Sequence, residues 1–218
     1  MEGKIFAVYK DAGPSSHDVI DRLRRITGIR KIGHAGTLDP MASGVLVVGV
    51  GRQATKRLAE FVGKEKEYLA TVTLGATSTT DDSEGQIKPC RVAAPPEATQ
   101  VSNTLQRFVG QIEQRPPRFS AIKVGGKCAY RLARANRSFD LPPRQVTVKA
   151  IELLRYCWPQ LDLRVVTGPG VYIRSLARDI GEALGVGGYL AQLERTRVGR
   201  FTKDTALRLN ELAGGNRL

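Results

Sequence analysis

The 218-residue sequence predicts an α+β (mixed α/β) protein, because strand-like and helix-like segments alternate along its length. No segment recurs at a fixed period, which excludes a repeat array. The hydrophobic share of 41% and the charged share of 25% are typical of a globular protein that buries a sizeable core. These features predict one large domain, or one domain with an insertion.

The first half of the chain contains the elements with the clearest boundaries. Residues 5–9 predict a short strand. Residues 16–27 predict a helix, because a serine stands at the start and Gly28 follows the end. Residues 45–50 form an apolar, valine-rich run that is typical of a buried strand, and residues 54–61 predict a second helix.

Five further segments complete the prediction. Residues 68–74 alternate between the two sides of a half-exposed strand. Residues 101–108 predict a helix that follows a proline-containing connector. Residues 144–154 and 161–167 predict paired strands, and residues 172–184 predict a helix.

Positive charge dominates the chain. Lys and Arg number 34 against 21 Asp and Glu, so the formal net charge is +13, and the pI is about 10.1. Such a charge favours polyanions, of which nucleic acid is the commonest, although a basic protein without such a partner is the alternative. The sequence has no apolar run of membrane-spanning length and no signal-peptide pattern, which predicts a cytoplasmic protein.

Two features bear on cofactors and metals. The three cysteines, Cys90, Cys128 and Cys157, lie far apart, which predicts reduced structural thiols rather than a disulfide framework or a zinc site. Residues 49–54 match a dinucleotide-binding fingerprint, but no second βαβ unit follows. We therefore interpret these glycines as a means of close packing at a strand-to-helix turn.

The segment 115–144 has the highest concentration of positive charge. Phe119, Tyr130 and Phe139 are interleaved with its cations, and paired prolines bracket it. Cations for phosphates and rings for bases are typical of a surface that binds an irregular RNA. The alternative is a solvated hairpin whose aromatic rings point into the core. The eight cations, against the one acid Asp140, are Arg115, Arg118, Lys123, Lys127, Arg131, Arg134, Arg137 and Arg144.

One carboxylate stands alone in the stretch GHAGTLDPMASGVLVVGVG, residues 33–51. Asp39 lies between Leu38 and Pro40 and precedes a long uncharged run. An acid at the mouth of a hydrophobic strand is a candidate nucleophile. A turn aspartate before a proline is the alternative, and the local pattern leaves both open.

Four blocks in order resemble TruB-type tRNA pseudouridine-55 synthases. They are GHAGTLDPMASGVLVVGVGRQATK (33–56), KEYLATVTLGATSTTDDSEG (66–85), RPPRFSAIKVGGKCAYRLAR (115–134) and GPGVYIRSLARDIGEALGVGGYLAQLERTRVG (168–199). The resemblance implies a pseudouridine-synthase-like catalytic domain over residues 1–218. Its central sheet would be mainly antiparallel and flanked by helices, with an RNA-binding insertion at about 115–144 and no C-terminal PUA-like domain.

The resemblance also implies an activity. A uridine in the T-arm loop of tRNA would be flipped out of its stack and isomerised to pseudouridine, without metal, nucleotide or other cofactor. It implies a cytoplasmic monomer whose partner is the tRNA T-arm stem-loop. The alternatives are a non-catalytic RNA-binding or tRNA-chaperone protein on the same scaffold, and a synthase that acts on another RNA.

Particular residues match the family's functional positions. Asp39 matches the catalytic aspartate, which could attack C1′, add to C6 or act through a glycal route. Tyr68 matches the ring that stacks on the flipped uracil and helps proton transfer at C5. Arg174 matches the arginine that pairs with the catalytic carboxylate. The residues matched to substrate or RNA binding are His34, Tyr172, Leu193, Arg118, Lys123, Lys127 and Arg131.

Some positions depart from the family's pattern. Asp11 stands where proline usually follows the lysine, and Phe119 stands where tyrosine is typical. Phe119 would lose one hydroxyl hydrogen bond. Leu193 would line the uracil pocket, although without the resemblance a plain core leucine is the expected role.

Overall fold

The structure is a computed structural model that describes residues 2–213. Within this range the strands are β1 (Ile5–Lys10), β2 (Ile32–Ala35), β3 (Ser43–Val50), β4 (Lys66–Leu74), β5 (Ala76–Ser78), β6 (Ile87–Pro89), β7 (Gly110–Gln114), β8 (Lys123–Val124), β9 (Lys127–Cys128), β10 (Arg144–Cys157), β11 (Gln160–Thr167), β12 (Gly188–Val198) and β13 (Phe201–Thr202). The helices are α1 (Ser16–Thr27), α2 (Arg52–Arg57), α3 (Ala59–Val62), α4 (Ala98–Gln106), α5 (Ala129–Arg134), α6 (Ile173–Ala183) and α7 (Leu209–Ala213), with a 3₁₀ turn at Lys203–Thr205.

A large, mainly antiparallel sheet organises the described residues. Its strand order is β1-β3-β12-β4-β11-β10-β7, with β2 beside β3 and β13 beside β12. β1 and β2 both pair with β3 in antiparallel register, whereas β12 pairs with β3 in parallel. β5 with β6, and β8 with β9, form two short hairpins. The predicted mixed α/β class with a mainly antiparallel sheet is confirmed.

Most of the predicted elements are present. The predicted helix at residues 16–27 matches α1, and the predicted strand pair beyond residue 144 matches β10 and β11. The predicted helix at 54–61 is divided into α2 and α3: Leu58 keeps a helical backbone, but its N–H donates to the carbonyl three residues back, on Thr55, at 3.5 Å. The elements that were not predicted are β2, the short strands β5 to β9, β12, β13, α5 and α7.

The chain divides into two compact units. Unit 1 comprises residues 2–69, 166–169 and 193–213, and unit 2 comprises residues 70–165 and 170–192. The predicted catalytic domain over residues 1–218, with its insertion at 115–144, stays a prediction. Met1 and residues 214–218 lie outside the described residues.

Unit 1 has a core of small and branched side chains. The central strand β3 is buried from Gly44 to Val50. Leu58 and Phe61 cover the valines of β3, and the ring of Phe61 lies 5.5 Å from that of Phe201. Burying this apolar surface is the main favourable contribution to the stability of the unit.

The glycines at residues 49–51 serve close packing, as the sequence predicted. A Cβ atom on Gly49 would lie 3.1 Å from the backbone of Ala54 and 3.2 Å from Leu58. Gly51 has a φ of 87°, a region that side chains disfavour. The strand-to-helix turn therefore requires glycine for steric reasons.

Unit 2 has a core between its strands and helices α4 and α6. Apolar side chains at alternate positions of β11 are fully buried, as a strand with one inward face requires. Val101 and Leu105 of α4, and Leu176 and Ile180 of α6, present their apolar stripes inward. In the part of the chain that the structure describes, every helix is too short or too polar to span a lipid bilayer.

Helix α1 begins at a reciprocal cap. The Ser15 hydroxyl accepts the Asp18 backbone N–H at 3.2 Å, and the Asp18 carboxylate accepts the Ser15 N–H at 2.8 Å. The helix ends at Gly28, whose φ of 69° is left-handed.

Removing this cap should weaken the protein measurably. We expect Ser15→Ala to lower the free energy of unfolding by about 1 kcal/mol, because the Asp18 N–H loses its acceptor. Urea denaturation followed by circular dichroism measures the change. Ser15→Thr, which retains a hydroxyl, is the matched control and should stay within about 0.5 kcal/mol of the wild type. An equal loss in both variants would contradict the capping role.

Candidate active site

The loop that carries Asp39 joins β2 to β3 in unit 1. Leu38 is buried, and both of its backbone polar groups bond to the hydroxyl of Ser16, each at 2.9 Å. The Ala42 N–H donates to the carbonyl oxygen of Asp39 at 3.1 Å, which closes a turn. Helix α1 therefore holds the residue before the half-buried Asp39.

A buried lysine supports the other side of this loop. Lys10, on β1, has no exposed surface, and its Nζ donates to the carbonyl oxygens of Pro14 at 2.6 Å and Pro40 at 3.2 Å. A third bond goes to the carbonyl of Asp11. A cation held by backbone oxygens beside Asp39 fixes the loop in place. The sequence analysis did not select Lys10, although a lysine that continues a buried strand was a signal for it.

Arg195 of β12 is the largest fully buried side chain in unit 1. Its Nε donates to the carbonyl oxygen of Val45 at 2.8 Å. Its terminal nitrogens donate to the carbonyls of Gly36 at 2.9 Å and Thr37 at 3.5 Å. These acceptors precede and follow Asp39 in the chain, so one guanidinium holds both ends of the loop. The sequence analysis also missed Arg195.

Strand pairing brings Arg195 to this position. β12 and β3 pair in parallel, and Arg195 stands opposite Gly44. Gly44 has a φ of 110°, and a Cβ atom there would overlap the backbone of Arg195. A glycine at residue 44 is therefore required for the approach of β12.

Tyr68 lies beside the same guanidinium and is 6% exposed. Burial raises the pKa of the Tyr68 hydroxyl. The charge of Arg195 and its hydrogen bond to the hydroxyl lower that pKa, whereas the nearby charge of Asp39 raises it. Unit 1 therefore brings together Asp39 and Tyr68, two of the three predicted catalytic residues.

Two more basic side chains lie near Arg195. Burial, followed by the charges of Arg195 and His17, lowers the pKa of His34, so its imidazole is neutral at pH 7. The Nδ1 atom of His34 is buried and makes no hydrogen bond with any described residue. Burial and Arg195 lower the pKa of Lys66 to about 8. Leu193, 9% exposed, is two residues from Arg195 on β12 and thus on the same strand face.

In unit 2, Arg174 is 4% exposed on α6. Its Nη1 lies 3.4 Å from Oδ2 of Asp82 and donates to the carbonyl of Thr80 at 3.2 Å. Its Nη2 donates to the carbonyl oxygen of Phe119 at 3.0 Å. The other oxygen of Asp82 accepts the Thr80 hydroxyl at 2.5 Å and the Glu84 N–H at 3.0 Å. The sequence analysis missed Asp82, and the predicted pairing of Arg174 with Asp39 stays a prediction.

Tyr172 caps the start of α6. Its backbone N–H donates to the side-chain oxygen of Gln114 at 2.8 Å, and its carbonyl accepts the Gln114 amide at 3.1 Å. Gln114 is 2% exposed, so this reciprocal pair is shielded from water. The backbone of Tyr172 is thereby fixed, while its side chain is half-buried.

The predicted insertion presents its cations to solvent. Its four predicted RNA-binding side chains are exposed: Arg118, Lys123, Lys127 and Arg131. Two of its rings lie under arginines: Arg118 is 5.3 Å from the Phe139 ring centre, and Arg131 is 5.9 Å from that of Tyr130. Such stacking orders the arginines while leaving their charge accessible.

The described residues include no cluster of three or more His, Cys, Asp or Glu arranged to hold a metal ion. Cys90, Cys128 and Cys157 are free thiols. The residues gathered in unit 1 instead combine a carboxylate, a phenol and a buried guanidinium. This set can supply a nucleophile or base, a stacking ring and a stabilising charge.

Two family models together match most of the chain. Residues 24–173 match the N-terminal domain of the TruB family of pseudouridylate synthases, and residues 174–216 match the C-terminal domain of tRNA pseudouridylate synthase B.

Curated relatives cover nearly the whole chain. The tRNA pseudouridine synthase B of Mycobacterium sp. (strain KMS) is 48% identical over 220 residues, which are 99% of this chain and 74% of that protein. The tRNA pseudouridine synthase B of Thermobifida fusca (strain YX) is 47% identical over 98% of this chain and 75% of its own.

Solved structures share the fold. The match to the crystal structure of a Cbf5-Nop10-Gar1 complex has a TM-score of 0.76 at 30% identity and covers 96% of this chain. The match to an H/ACA RNP bound to a substrate RNA containing 2′-deoxyuridine has a TM-score of 0.72 at 28% identity. This chain spans about half of each of those chains, 53% and 52%.

The lowered pKa of Lys66 makes stability depend on pH. Between pH 8 and 10.5 the unfolded chain keeps a proton on Lys66 that the folded protein has lost. The free energy of unfolding of the wild type should therefore rise relative to Lys66→Met, by up to about 1.4 kcal/mol per pH unit. Urea unfolding across this range measures the difference. Lys64→Met, at an exposed neighbour, should retain the wild-type slope; a flat difference for Lys66→Met would contradict the assignment.

Proposed function

The chain belongs to the TruB family of pseudouridylate synthases, and from this premise we propose that it isomerises a uridine in the T-arm loop of tRNA, at position 55, to pseudouridine. The observation that carries the proposal is that Arg195, which donates to the backbone carbonyls of Gly36 and Thr37 in the loop of Asp39, also hydrogen-bonds to the hydroxyl of Tyr68. Arg195 and Lys10 hold the loop around this carboxylate.

The reaction requires little beyond a well-placed carboxylate. The C1′–N1 bond of the uridine breaks, the uracil turns, and C1′ bonds to C5, which loses its proton. No oxidant or reductant takes part, because substrate and product are isomers. Asp39 supports attack on C1′, addition to C6, or removal of a sugar proton, since each route begins with an ionised carboxylate beside the nucleotide.

Tyr68 provides a ring and a hydroxyl beside that carboxylate. An aromatic face stacks on a flipped base and contributes about 1–3 kcal/mol of binding. Burial raises the pKa of the Tyr68 hydroxyl and the charge of Arg195 only partly offsets this effect, so the group is a neutral phenol that can relay the C5 proton by accepting it while passing on its own. We assign stacking and proton transfer to this side chain.

Arg174 supplies charge stabilisation in this proposal. Its guanidinium is buried, and the carboxylate of Asp82 and two backbone carbonyls fix its orientation. A preorganised cation stabilises developing negative charge without reorganising during the reaction. The side chain is therefore suited to act on the reacting centre.

RNA binding is assigned to exposed cations and to rings. Arg118, Lys123, Lys127 and Arg131 are available to phosphates, and their contribution should weaken as salt increases. Flipping the uridine costs a few kcal/mol, which phosphate contacts and stacking can offset. We assign contacts with the substrate RNA to each of the three remaining residues, His34, Tyr172 and Leu193.

The first test removes the carboxylate. With T-arm RNA tritiated at C5 of uridine, the wild type should release tritium and Asp39→Asn should not, because the amide cannot replace the ionised oxygen. If neither protein released tritium, the enzymatic function would be rejected and an RNA-binding role would be favoured. Release from another RNA, with none from the T-arm, would reject the proposed substrate.

The second test separates the ring of Tyr68 from its hydroxyl. Tyr68→Phe keeps the stacking face, so its Kd for T-arm RNA should stay within about threefold of the wild type. Its kcat should fall by roughly 10²-fold or more, as expected when a group that transfers a proton is lost. Tyr68→Ala should weaken binding as well. Turnover by Tyr68→Phe at the wild-type rate would refute the proton-transfer role.

A further inference from the structure

A second arginine on α6 repeats the arrangement of Arg174. Arg178 lies one helical turn after Arg174, so both side chains leave the same face of the helix. Arg174 pairs with Asp82, and Nη1 of Arg178 pairs with Oδ2 of the preceding residue, Asp81, at 2.8 Å. Two consecutive aspartates of one loop thus hold two arginines of one helix.

Both arginines also donate hydrogen bonds to the first residues of the predicted insertion. Nη2 of Arg178 donates to the carbonyl oxygen of Arg115 at 2.9 Å, and the Ser175 hydroxyl donates to the same oxygen at 2.9 Å. Arg174 donates to the carbonyl oxygen of Phe119 at 3.0 Å. Both ends of the segment 115–119 are therefore hydrogen-bonded to α6.

The backbone of Asp81 adds a constraint. Its φ of 63° is left-handed, which is uncommon outside glycine and is tolerated by aspartate and asparagine. Its carbonyl oxygen accepts the Leu190 N–H at 3.0 Å, and its N–H donates to the carbonyl of Ser78 at 3.2 Å. This fixed turn directs two neighbouring carboxylates toward successive turns of α6.

A contribution to the stability of the fold does not explain the ion pair of Asp81 with Arg178. The side chains of Asp81 and Arg178 are only 15% and 19% exposed. Removing two charges from water costs about as much as their attraction returns, so such a pair contributes little net stability. The planar fork of Arg178 does fix direction, because separate nitrogens bind the Asp81 carboxylate, the Arg115 carbonyl and the Asp179 carboxylate.

We propose that Asp81 and Arg178 form a positioning pair that holds Arg174 and the segment 115–119 in one arrangement. One loop, which carries Asp81 and Asp82, then positions both Arg174 and the start of the insertion. This inference rests on the proposed function, because it assigns these residues to the reaction through Arg174.

The test uses Asp81→Asn, Arg178→Gln and the double variant. Asparagine also tolerates a left-handed backbone, so Asp81→Asn removes the charge without straining the turn. Each single variant should lower kcat on T-arm RNA by about tenfold or more, while KM changes less than about threefold, because misplacing a catalytic group affects the transition state most. The double variant should stay within about threefold of the worse single variant, since both remove one interaction.

Asp162→Asn is the matched control. Asp162 forms an ion pair with Arg155 at 2.9 Å in the same unit and is 25% exposed, but it does not contact α6 arginines in the described contacts. It should lower the Tm by a similar amount and leave kcat within about twofold of the wild type. Arg178→Lys should restore kcat only in part, because one ammonium cannot replace the fork.

The outcomes are distinct. A wild type that forms no pseudouridine in T-arm RNA rejects the proposed function, and it also overturns the positioning role that rests on it. An active wild type with unchanged kcat in Asp81→Asn overturns the positioning pair. It is also overturned if kcat in all variants, Asp162→Asn included, falls in proportion to Tm.

Discussion

The arrangement around Asp39 depends on the buried guanidinium of Arg195. A charge removed from water costs free energy unless hydrogen bonds replace those of the solvent. Here the acceptors are carbonyl oxygens of Gly36, Thr37 and Val45, on both sides of Asp39 in the chain. The need to satisfy one buried cation therefore determines the shape of the loop. Gly44 permits this, because it lets the two strands approach closely.

The charge of Arg195 also shifts the pKa values of neighbouring side chains. It lowers the pKa of Tyr68, which burial raises, and it lowers the pKa of His34 and Lys66, which burial also lowers. Arg195 therefore partly offsets burial at Tyr68, whose pKa stays raised, and adds to the effect of burial at His34 and Lys66. Groups whose pKa values are shifted in this way are typical of sites that transfer protons.

Unit 2 uses arginine by a related principle. Arg174 and Arg178 each bond to a carboxylate and to a backbone carbonyl, so a single side chain joins separate segments. The planar, multidentate guanidinium is suited to this task, whereas a lysine offers a point charge. Arginines of the insertion instead lie over aromatic rings and keep their charge toward solvent. Buried arginines thus fix the orientation of separate segments, whereas the exposed arginines keep the charge that the proposed RNA binding requires.

Local patterns were enough to predict α1, β3, the β10–β11 pair and the mixed class. They failed for β2, a four-residue strand without alternation, and for β12, where Glu194, Arg195 and Arg197 interrupt the apolar pattern. Arg195 makes its strand hard to predict, because the sequence does not show whether an arginine is buried or exposed. Only the hydrogen bonds available inside the fold distinguish the two.

The sequence by itself determined the family, the selection of Asp39 and Tyr68, and the basic character of residues 115–144, since these follow from motif order and composition. The tertiary structure alone decided which residues support the candidate site residues: Lys10 and Arg195 hold the loop of Asp39, Asp82 pairs with Arg174, and Gln114 bonds to Tyr172. The reason is separation along the chain. Arg195 bonds to Gly36 across 159 residues, and Arg174 bonds to Thr80 across 94. Such contacts arise from strand pairing and helix packing. The periodicity of a short stretch of sequence does not predict them.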